Sequence, residues 1–395
     1  MMHYHCPGRF KASGTMASHP SPFTLHPSTF NLQPSTFNLQ PSTFNLQPST
    51  LNPQPSTLNP RHSTMTSDEL PSATLLRLRQ RAFLLAEVRA FFVERGHFEV
   101  QTPILSADCC VDAWIDPFAV PMGDSGTRYL QTSPEFALKR LLCAGADKVF
   151  EVARVFRQDE VGPRHNPEFT MIEWYERGTD HHVQMDAVEQ LVKRLHSTAV
   201  AQGWITSSSL PSFSRLSYEQ AFQQSVGLSP FTASLQELAA AALRTTHVLP
   251  AGIEHDRDGL LNLLLAEQVE PFLQKLGGVF VYDYPASQAA LAKIRGGDAP
   301  VAERFELYLN RIEICNGYHE LTEPAELQQR MQQQNAKRLA AGKPAIPVES
   351  RLLQAMTMHP LPDCAGVALG FDRLAMWCLG LTSIQEIIAF PFDRA

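Results

Sequence analysis

The chain has 395 residues, of which 44% are hydrophobic and 18% charged, enough for one large domain or two ordinary ones. Its net charge is −7, and residues 65–395 carry 30 basic and 40 acidic residues, or −10. This acidic balance argues against a large nucleic-acid footprint, which needs a basic face. Neither a long apolar run nor a secretory signal is evident, which excludes a membrane span and makes the cytoplasm the expected location.

The cysteines indicate a reducing compartment and no zinc framework. Their number is odd, seven, and no pair has the C-x-x-C spacing.

Residues 1–64 form a low-complexity segment. The heptapeptide Pro-Ser-Thr-Phe-Asn-Leu-Gln begins at Pro27, Pro34 and Pro41, and two degenerate copies follow. One proline per repeat excludes a continuous helix, so we predict a disordered extension. Two interpretations are open: a ligand for a partner protein, or a misassigned start codon with the true start near Met65.

The first periodic segment after this extension predicts a helix over Ala73–Arg95. Its apolar residues recur at helical spacing, and Gly96 is suited to the position just past the helix end. Phe98–Leu105 then reads as a strand that carries Pro103.

A second helix is predicted from Ser133 to Leu142. Ser133 is suited to the N-cap, Pro134 to the first helical position and Glu135 to the first turn.

The remaining segments alternate irregularly between helix and strand. Predicted helices cover 186–201, 218–224, 235–243, 260–276, 325–341 and 351–356, and predicted strands cover 127–130, 148–156, 168–175, 279–284 and 304–314. Residues 207–214 read as a polar linker or hairpin, and Gly366–Gly370 leads from a strand into the final helix. Because these elements do not form βαβ units, we predict an α+β fold with a largely antiparallel sheet flanked by helices.

Three sequence blocks carry a family resemblance. The stretch from Val155 to Tyr175, with His-Asn-Pro-Glu-Phe inside it, resembles motif 2 of class II aminoacyl-tRNA synthetases of the lysine, aspartate and asparagine subgroup. Gly366-Val-Ala-Leu-Gly-Phe-Asp-Arg373 resembles motif 3, and the helix and strand up to Pro103 resemble motif 1. The resemblance covers nearly all of residues 70–395, and it implies an ATP- and Mg²⁺-dependent, homodimeric enzyme that makes an acyl-adenylate.

The motif 2 match implies the phosphate contacts. Arg157 stands where the family bridges the reacting carboxylate and the α-phosphate, a contact that suits a guanidinium. Gln158 and Asp159 follow it in the ATP site. The family normally has Glu at the position of Asp159, so either the loop adjusts or Glu160 takes over.

The same match implies further nucleotide contacts. His165 stands at the position of a terminal-phosphate contact, Asn166 follows it, and Phe169 matches the aromatic residue that stacks on adenine. In the later strand, Glu313 matches an acid that binds Mg²⁺ and ATP, with Ile314 beside it.

Motif 3 implies two more ATP contacts. Gly370 lets the backbone approach the nucleotide, and Arg373 is the second ATP arginine, at a helix start.

The resemblance also implies an amino-acid pocket. Ser133, Pro134 and Glu135 stand where lysyl enzymes hold the amino group of their substrate. Tyr175 and Glu320 would face the distal amine, so the pocket should reject uncharged side chains.

Ala368 is a candidate specificity residue, because lysyl-tRNA synthetases usually have glycine at its position. Its methyl group could favour an amino group on the β-carbon; simple drift in a packed turn is the alternative.

The domain organisation bears on which molecule accepts the activated acyl group. Lysyl-tRNA synthetases carry an OB-fold anticodon domain where this chain has its low-complexity segment, so residues 65–395 are predicted as a catalytic domain alone. The chain therefore resembles the stand-alone paralogues that attach (R)-β-lysine to a lysine of elongation factor P, and tRNA is not the expected partner. A truncated lysyl-tRNA synthetase and a catalytically silent regulatory paralogue are the alternatives.

Overall fold

The computed structural model describes residues 69–206, 210 and 212–395. The extension predicted for residues 1–64 lies outside the described residues, as does most of the polar segment from 207 to 211. The strands are β1 (Phe98–Glu99), β2 (Leu105–Ser106), β3 (Ala119–Pro121), β4 (Thr127–Leu130), β5 (Lys148–Phe156), β6 (Glu168–Arg177), β7 (Phe213–Ser217), β8 (Gly278–Pro285), β9 (Ile294–Arg295), β10 (Val301–Leu309), β11 (Ile312–His319) and β12 (Cys364–Gly370). The α-helices are α1 (Leu75–Glu94), α2 (Glu135–Cys143), α3 (His181–Ala201), α4 (Tyr218–Ser225), α5 (Leu235–Ala242), α6 (Arg257–Leu264), α7 (Glu270–Leu273), α8 (Pro324–Ala340), α9 (Arg351–Met358) and α10 (Phe371–Cys378).

The main sheet has the order β1-β5-β6-β12-β11-β10-β8-β7, and β9 pairs with β10. Its central strands are all antiparallel, while β1 pairs with β5 and β7 pairs with β8 in parallel. A separate small sheet has the order β2-β4-β3. The prediction of an α+β fold with a largely antiparallel sheet is confirmed.

The two faces of the main sheet have different chemistry. On β6, Ile172 and Trp174 belong to the large apolar core beneath α1, α3 and α10. Glu173 and Tyr175, one residue out of phase, belong to the other face because side chains alternate along a strand. The register of the neighbouring strands extends this second face across the sheet. Glu173 of β6 lies opposite Ala368 of β12, and Ala368 lies opposite Asn316 of β11. Charged and polar residues therefore share the face that carries the candidate site.

Aromatic packing fixes the first helix against the sheet. Phe92 of α1 stacks on Phe150 of β5 with ring centroids 4.8 Å apart, and Trp174 tilts against it at 4.9 Å. Full burial of each such ring stabilises the fold by about 1.5–3 kcal/mol. Gly96 has a φ of +84° directly after the last cap residue of α1, which confirms it as the residue just past the helix.

The predicted strand over Phe98–Leu105 was wrong as one element. It divides into β1 and β2, which pair with different sheets. Between them the backbone N–H of Thr102 donates to Glu151 Oε1 at 3.0 Å, and Pro103 has no N–H to donate. A side chain and a proline thus replace the ladder in the middle of the segment.

The predicted strand over 304–314 was also wrong, because it is a hairpin of β10 and β11. Asn310 and Arg311 form its two-residue turn with φ of +49° and +64°. Positive φ at both turn residues is the requirement of the favoured two-residue hairpin, which is usually signalled by glycine. Arginine carries no such signal, so the turn was missed.

Two helix boundaries and the interior of one predicted helix also differ from prediction. Helix α2 begins at Glu135 with Pro134 as the cap residue, so Ser133 is not its N-cap. Helix α3 begins at His181, earlier than the predicted start, because Asp180 accepts from the N–H of Val183 and caps it. The predicted helix over 260–276 contains a π-helical turn at Leu265–Val269, just before Pro271.

Within the described residues, no helix combines the length and apolarity needed to cross a membrane.

Candidate active site

A cleft of about 670 Å³ opens on the polar face of the main sheet. Most of the predicted site residues line it: Ser133, Glu135, Arg157, His165, Asn166, Phe169, Tyr175, Glu313, Ile314, Glu320, Ala368, Gly370 and Arg373. Pro134, Gln158 and Asp159 are not among its lining residues. One cavity thus brings together side chains from the segments that resemble motif 2 and motif 3 and from β11.

A buried lysine lies at one end of the cleft and was not predicted. Lys139 Nζ is 2.6 Å from Glu135 Oε1 and 2.5 Å from Glu320 Oε2, and its side chain is only 2% exposed. Burial lowers the pKa of Lys139, but the two carboxylates raise it further, so the amine stays protonated. Glu320 Oε1, in contrast, is buried with no hydrogen-bond donor among the described residues.

Glu173 is a second buried carboxyl group of this end that was not predicted. It accepts hydrogen bonds from Ser133 Oγ at 2.6 Å and from the Tyr175 hydroxyl at 2.7 Å. Burial, reinforced by the charge of Glu135, raises its pKa to about 8. The free protein therefore holds Glu173 mostly protonated at neutral pH.

Gly366 gives the Tyr175 ring its position. A Cβ atom at Gly366 would lie 2.3 Å from Tyr175 Cε1 and 2.9 Å from Glu320 Oε1. No side chain fits there, so the ring of Tyr175 lies directly over the backbone of β12. We call Glu135, Lys139, Glu173, Tyr175 and Glu320 the acidic pocket.

The other end of the cleft is built from the loop between β5 and β6. Arg157 Nη1 donates to Glu160 Oε1 at 3.4 Å, and the guanidinium lies 5.2 Å from the centroid of the Phe169 ring. Glu160 lines the cleft, whereas Asp159 is exposed with a φ of +66°. The turn thus directs Glu160, not Asp159, towards the cleft.

Arg373 connects three elements at this end. It donates from Nη1 to the backbone oxygen of Glu313 at 2.9 Å and from Nη2 to His165 Nε2 at 2.5 Å. Desolvation, followed by the nearby charge of Arg373, lowers the pKa of His165, so its neutral ring can accept this bond. We call Arg157, His165, Glu313 and Arg373 the nucleotide end.

A tyrosine and arginine network lies beside the nucleotide end and was also missed. Glu306 is buried and accepts hydrogen bonds from Tyr284 at 2.6 Å and from Tyr308 at 2.5 Å, and Arg304 pairs with it. Desolvation inside the cleft and the charge of Glu306 raise the pKa of Glu313, which Arg373 opposes. The two glutamates therefore repel each other, a pattern that favours an added cation.

Asn166, which was predicted, and Asp372, which was not, also line the cleft and already have protein partners. The side chain of Asn166 donates to the Glu168 backbone oxygen at 2.6 Å and accepts from the N–H of Phe392 at 2.9 Å. At the start of α10, Asp372 accepts from the Thr170 N–H at 2.8 Å and pairs with Arg81. A carboxylate thus occupies the first turn of the helix where a phosphate had been expected.

Simple periodicity could have found the missed residues. Lys139 follows Glu135 by one helical turn, the spacing at which side chains meet. Glu173 precedes Tyr175 by the period of a strand, and Glu306 lies on the strand next to β11 on the same face.

The comparisons with known proteins agree with this geometry. The family model for class II tRNA synthetases (D, K and N) matches residues 57–394. Proteins named elongation factor P–(R)-β-lysine ligase from Salmonella dublin, Salmonella paratyphi B and Salmonella heidelberg are each 44% identical over 330 residues. Each alignment covers 82% of this chain and 98% of the relative. The chain therefore belongs to the class II tRNA synthetase family of the D, K and N group.

Proposed function

We propose that this chain is an ATP-dependent ligase that activates (R)-β-lysine as an adenylate and transfers it to the ε-amine of a lysine on elongation factor P. The name of the relatives gives the substrate and the acceptor. The observation in this chain that carries the proposal is the charge of the acidic pocket.

The acidic pocket fits a diamino acid. Glu135, Glu173 and Glu320 oppose the single cation Lys139, so the ionised pocket carries two negative charges in excess. A β-lysine molecule brings two ammonium groups, which match this excess. Glu320 Oε1, buried without a donor, is an acceptor ready for one of them. An uncharged side chain would leave these carboxyl groups uncompensated and would be rejected.

The first chemical step is the formation of the adenylate. A carboxylate oxygen of the amino acid attacks the α-phosphorus of ATP, an oxygen–phosphorus bond forms, and pyrophosphate leaves. Arg157, a member of the nucleotide end, would hold the carboxylate and the α-phosphate together. Arg373 and His165 would exchange their mutual hydrogen bond for contacts with the other phosphates.

The residues present also fit Mg²⁺. Glu313 offers carboxylate oxygens at the mouth of the cleft, and Glu306 adds negative charge nearby. Magnesium held there with the phosphates would supply charge neutralisation. The family has a Glu two residues after the motif 2 arginine, where this chain has Asp159. Asp159 lies outside the cleft, so Glu160 would contact the nucleotide in its place.

The second step transfers the aminoacyl group. The ε-amine of the acceptor lysine attacks the carbonyl carbon, a carbon–nitrogen bond forms, AMP leaves, and the amine releases a proton to solvent. An acceptor that is a translation factor places the reaction in the cytoplasm.

A homodimer is part of the proposal. Apolar side chains are exposed on α1 and the strands that follow it, among them Leu76 (62%), Val93 (62%) and Phe98 (50%). A second copy would cover this surface. Light scattering should give twice the chain mass, and Phe98→Asp should lower it; a monomeric wild type would contradict this part.

The decisive experiment offers purified protein, ATP and Mg²⁺ with labelled (R)-β-lysine or α-lysine. Elongation factor P and bulk tRNA are the two acceptors, and elongation factor P with its acceptor lysine changed to arginine is the control. We expect label on elongation factor P, more with β-lysine than with α-lysine, and none on the control. Label on tRNA would replace the proposal with a minimal synthetase, and no pyrophosphate release would replace it with a silent paralogue.

A further inference from the structure

A group of histidines and carboxylates lies on the face of the main sheet opposite the cleft. It joins the first residue of α3, His181, to Glu303 of β10 and His319 of β11. One ligand atom from each of these three residues lies within 4.8 Å of the others. Glu303 and His319 are the sequence neighbours of Arg304 and Glu320, which line the cleft, so strand alternation places them on the other side.

His181 is the unexplained member of this group. Its side chain is 2% exposed, yet neither ring nitrogen has a hydrogen-bond partner among the described residues. A buried polar group without a partner costs about 1–3 kcal/mol, so it calls for a ligand. Nε2 lies 3.5 Å from Asp283 Oδ1, which is itself buried without a hydrogen bond.

Each of the two carboxylates near His181 contacts Arg295 through one oxygen and faces an imidazole with the other. Arg295 takes Asp283 Oδ2 at 2.6 Å and Glu303 Oε1 at 3.0 Å. The remaining oxygens, Asp283 Oδ1 and Glu303 Oε2, face His181 and His319 respectively. Arg295 thus fixes both carboxylates from outside and leaves one oxygen of each towards the imidazoles.

His319 has partners on both ring nitrogens. Nδ1 lies 2.5 Å from Glu303 Oε2, and Nε2 lies 2.9 Å from Asp363 Oδ1, which Lys293 also approaches at 3.4 Å. An imidazole that gives one nitrogen to an ion and donates from the other to a carboxylate is the usual arrangement of a histidine ligand. Asp363 would be that outer partner of His319, and Asp283 the outer partner of His181.

We propose that His181, Glu303 and His319 bind a divalent transition-metal ion, with Zn²⁺ as the best fit. Two imidazole nitrogens and one carboxylate oxygen are donors that zinc accepts, with water as a fourth ligand. Ligand atoms about 2.0–2.2 Å from a tetrahedral ion lie about 3.3–3.6 Å apart, so atoms now up to 4.8 Å apart must close by about 1 Å. The hydrogen bond between His319 and Glu303 opens when the ion enters.

Such an ion would act as a structural clamp. It would tie the start of α3 to two neighbouring strands directly behind Arg304 and Glu320. The site is independent of the proposed ligase activity, because none of its three ligands lines the cleft.

The first test measures zinc binding to the full, tag-free chain after treatment with a chelator. Equilibrium dialysis with Zn²⁺ in excess Mg²⁺ should give one ion per chain and raise the Tm. His181→Gln should weaken binding more than about tenfold, the loss that removal of an outer partner alone can produce. His196→Gln is the matched control, since His196 is buried on the same helix but has no carboxylate partner among the residues that the structure describes, and it should bind zinc as the wild type does.

Glu303→Gln and Co²⁺ provide checks that do not depend on the folding of one variant. Glu303→Gln should weaken zinc binding as His181→Gln does. Wild-type protein with Co²⁺ should show the strong visible absorption of a four-coordinate ion and no thiolate-to-metal band. The proposal would be overturned by unchanged zinc binding in His181→Gln, by a thiolate band, or by no zinc binding to the wild type. The last result would leave His319 as a hydrogen-bond partner of Glu303 and Asp363 alone.

Discussion

The acidic pocket and the nucleotide end handle charge in opposite ways. The pocket buries its cation, with Lys139 2% exposed between two carboxylates, and Glu173 is fixed by hydrogen bonds from Ser133 and Tyr175. At the nucleotide end, Arg157 and Arg373 are each 23% exposed. Burial strengthens charge interactions, so the ion pairs of Lys139 form when the chain folds, whereas the exposed arginines of the nucleotide end gain their main charged partner only when the nucleotide binds.

The largest effect is expected from a variant that removes the cation of the acidic pocket. Lys139→Met leaves Glu135 and Glu320 buried without their cation, and removal of one partner of a buried pair costs about 3–5 kcal/mol. We expect the free energy of unfolding in urea to fall by about that amount. Arg140→Met, exposed on the same helix, should change it by less than about 0.5 kcal/mol. Equal stability of the two variants would show that the pocket is not set by folding.

The nucleotide end should respond in activity and not in stability. Arg157→Ala should lower the rate of pyrophosphate exchange by about 10²–10³-fold, because it removes a preorganised donor from the charge that develops at the α-phosphate. Unfolding should be nearly unchanged, since the polar contacts of Arg157 to Glu160 and to the Thr132 backbone oxygen are long, at 3.4 and 3.5 Å. Arg154→Ala, on the strand that leads into the loop of Arg157 but paired with Glu168 at the surface, is the control. Similar exchange rates for both variants would contradict the role of Arg157.

The pH dependence of amino-acid binding tests the role of Glu173 in the acidic pocket. Its pKa of about 8 in the free protein means that a substrate ammonium group must displace a proton at neutral pH. Calorimetry in buffers with different ionisation heats should show proton release on binding of β-lysine, and the KM for the amino acid should fall as pH rises towards 8. Glu173→Gln should reduce both effects, and Glu320, whose pKa burial also raises to about 8, should account for what remains. Proton release equal to that of the wild type would contradict the role of Glu173.

The raised pKa of Glu173 also makes the stability of the free protein depend on pH. The folded pKa of Glu173 lies above the ordinary value of 4.5, so the unfolded chain loses this proton first as pH rises. Stability from this group is complete below pH 4.5 and is lost as pH rises to about 8. Glu173→Gln should flatten the decline in unfolding free energy over this range, and an unchanged slope would count against a buried, protonated Glu173.

The smallest effect concerns the wall of the pocket. Ala368 lines the cleft opposite Glu173 and Asn316. Ala368→Gly removes one methyl group, which is worth about 1 kcal/mol of discrimination. The ratio of kcat/KM for β-lysine to that for α-lysine should fall by about fivefold, with pyrophosphate exchange as the measurement. No change in the ratio would leave Ala368 as a packing residue.

The sequence alone predicted the fold class, and most of the site residues that it predicted line the cleft. Strands such as β5 and helices such as α1 follow from periodicity, which is local information. The motif resemblance brought Arg157 and Arg373 to one site, although they are far apart in the chain. That Glu160 and not Asp159 faces the cleft was left open, because a positive φ at Asp159 decides it.

Only the tertiary structure decided the partners of the charged residues. Lys139 reads as a surface lysine of an amphipathic helix, and it becomes a buried bridge because β11 brings Glu320 to it. Asn310 and Arg311 likewise turn one predicted strand into a hairpin without a glycine signal. Propensity and period act within a few residues, whereas burial and pairing of charge depend on which strands become neighbours, and the sequence pattern carries no direct record of that.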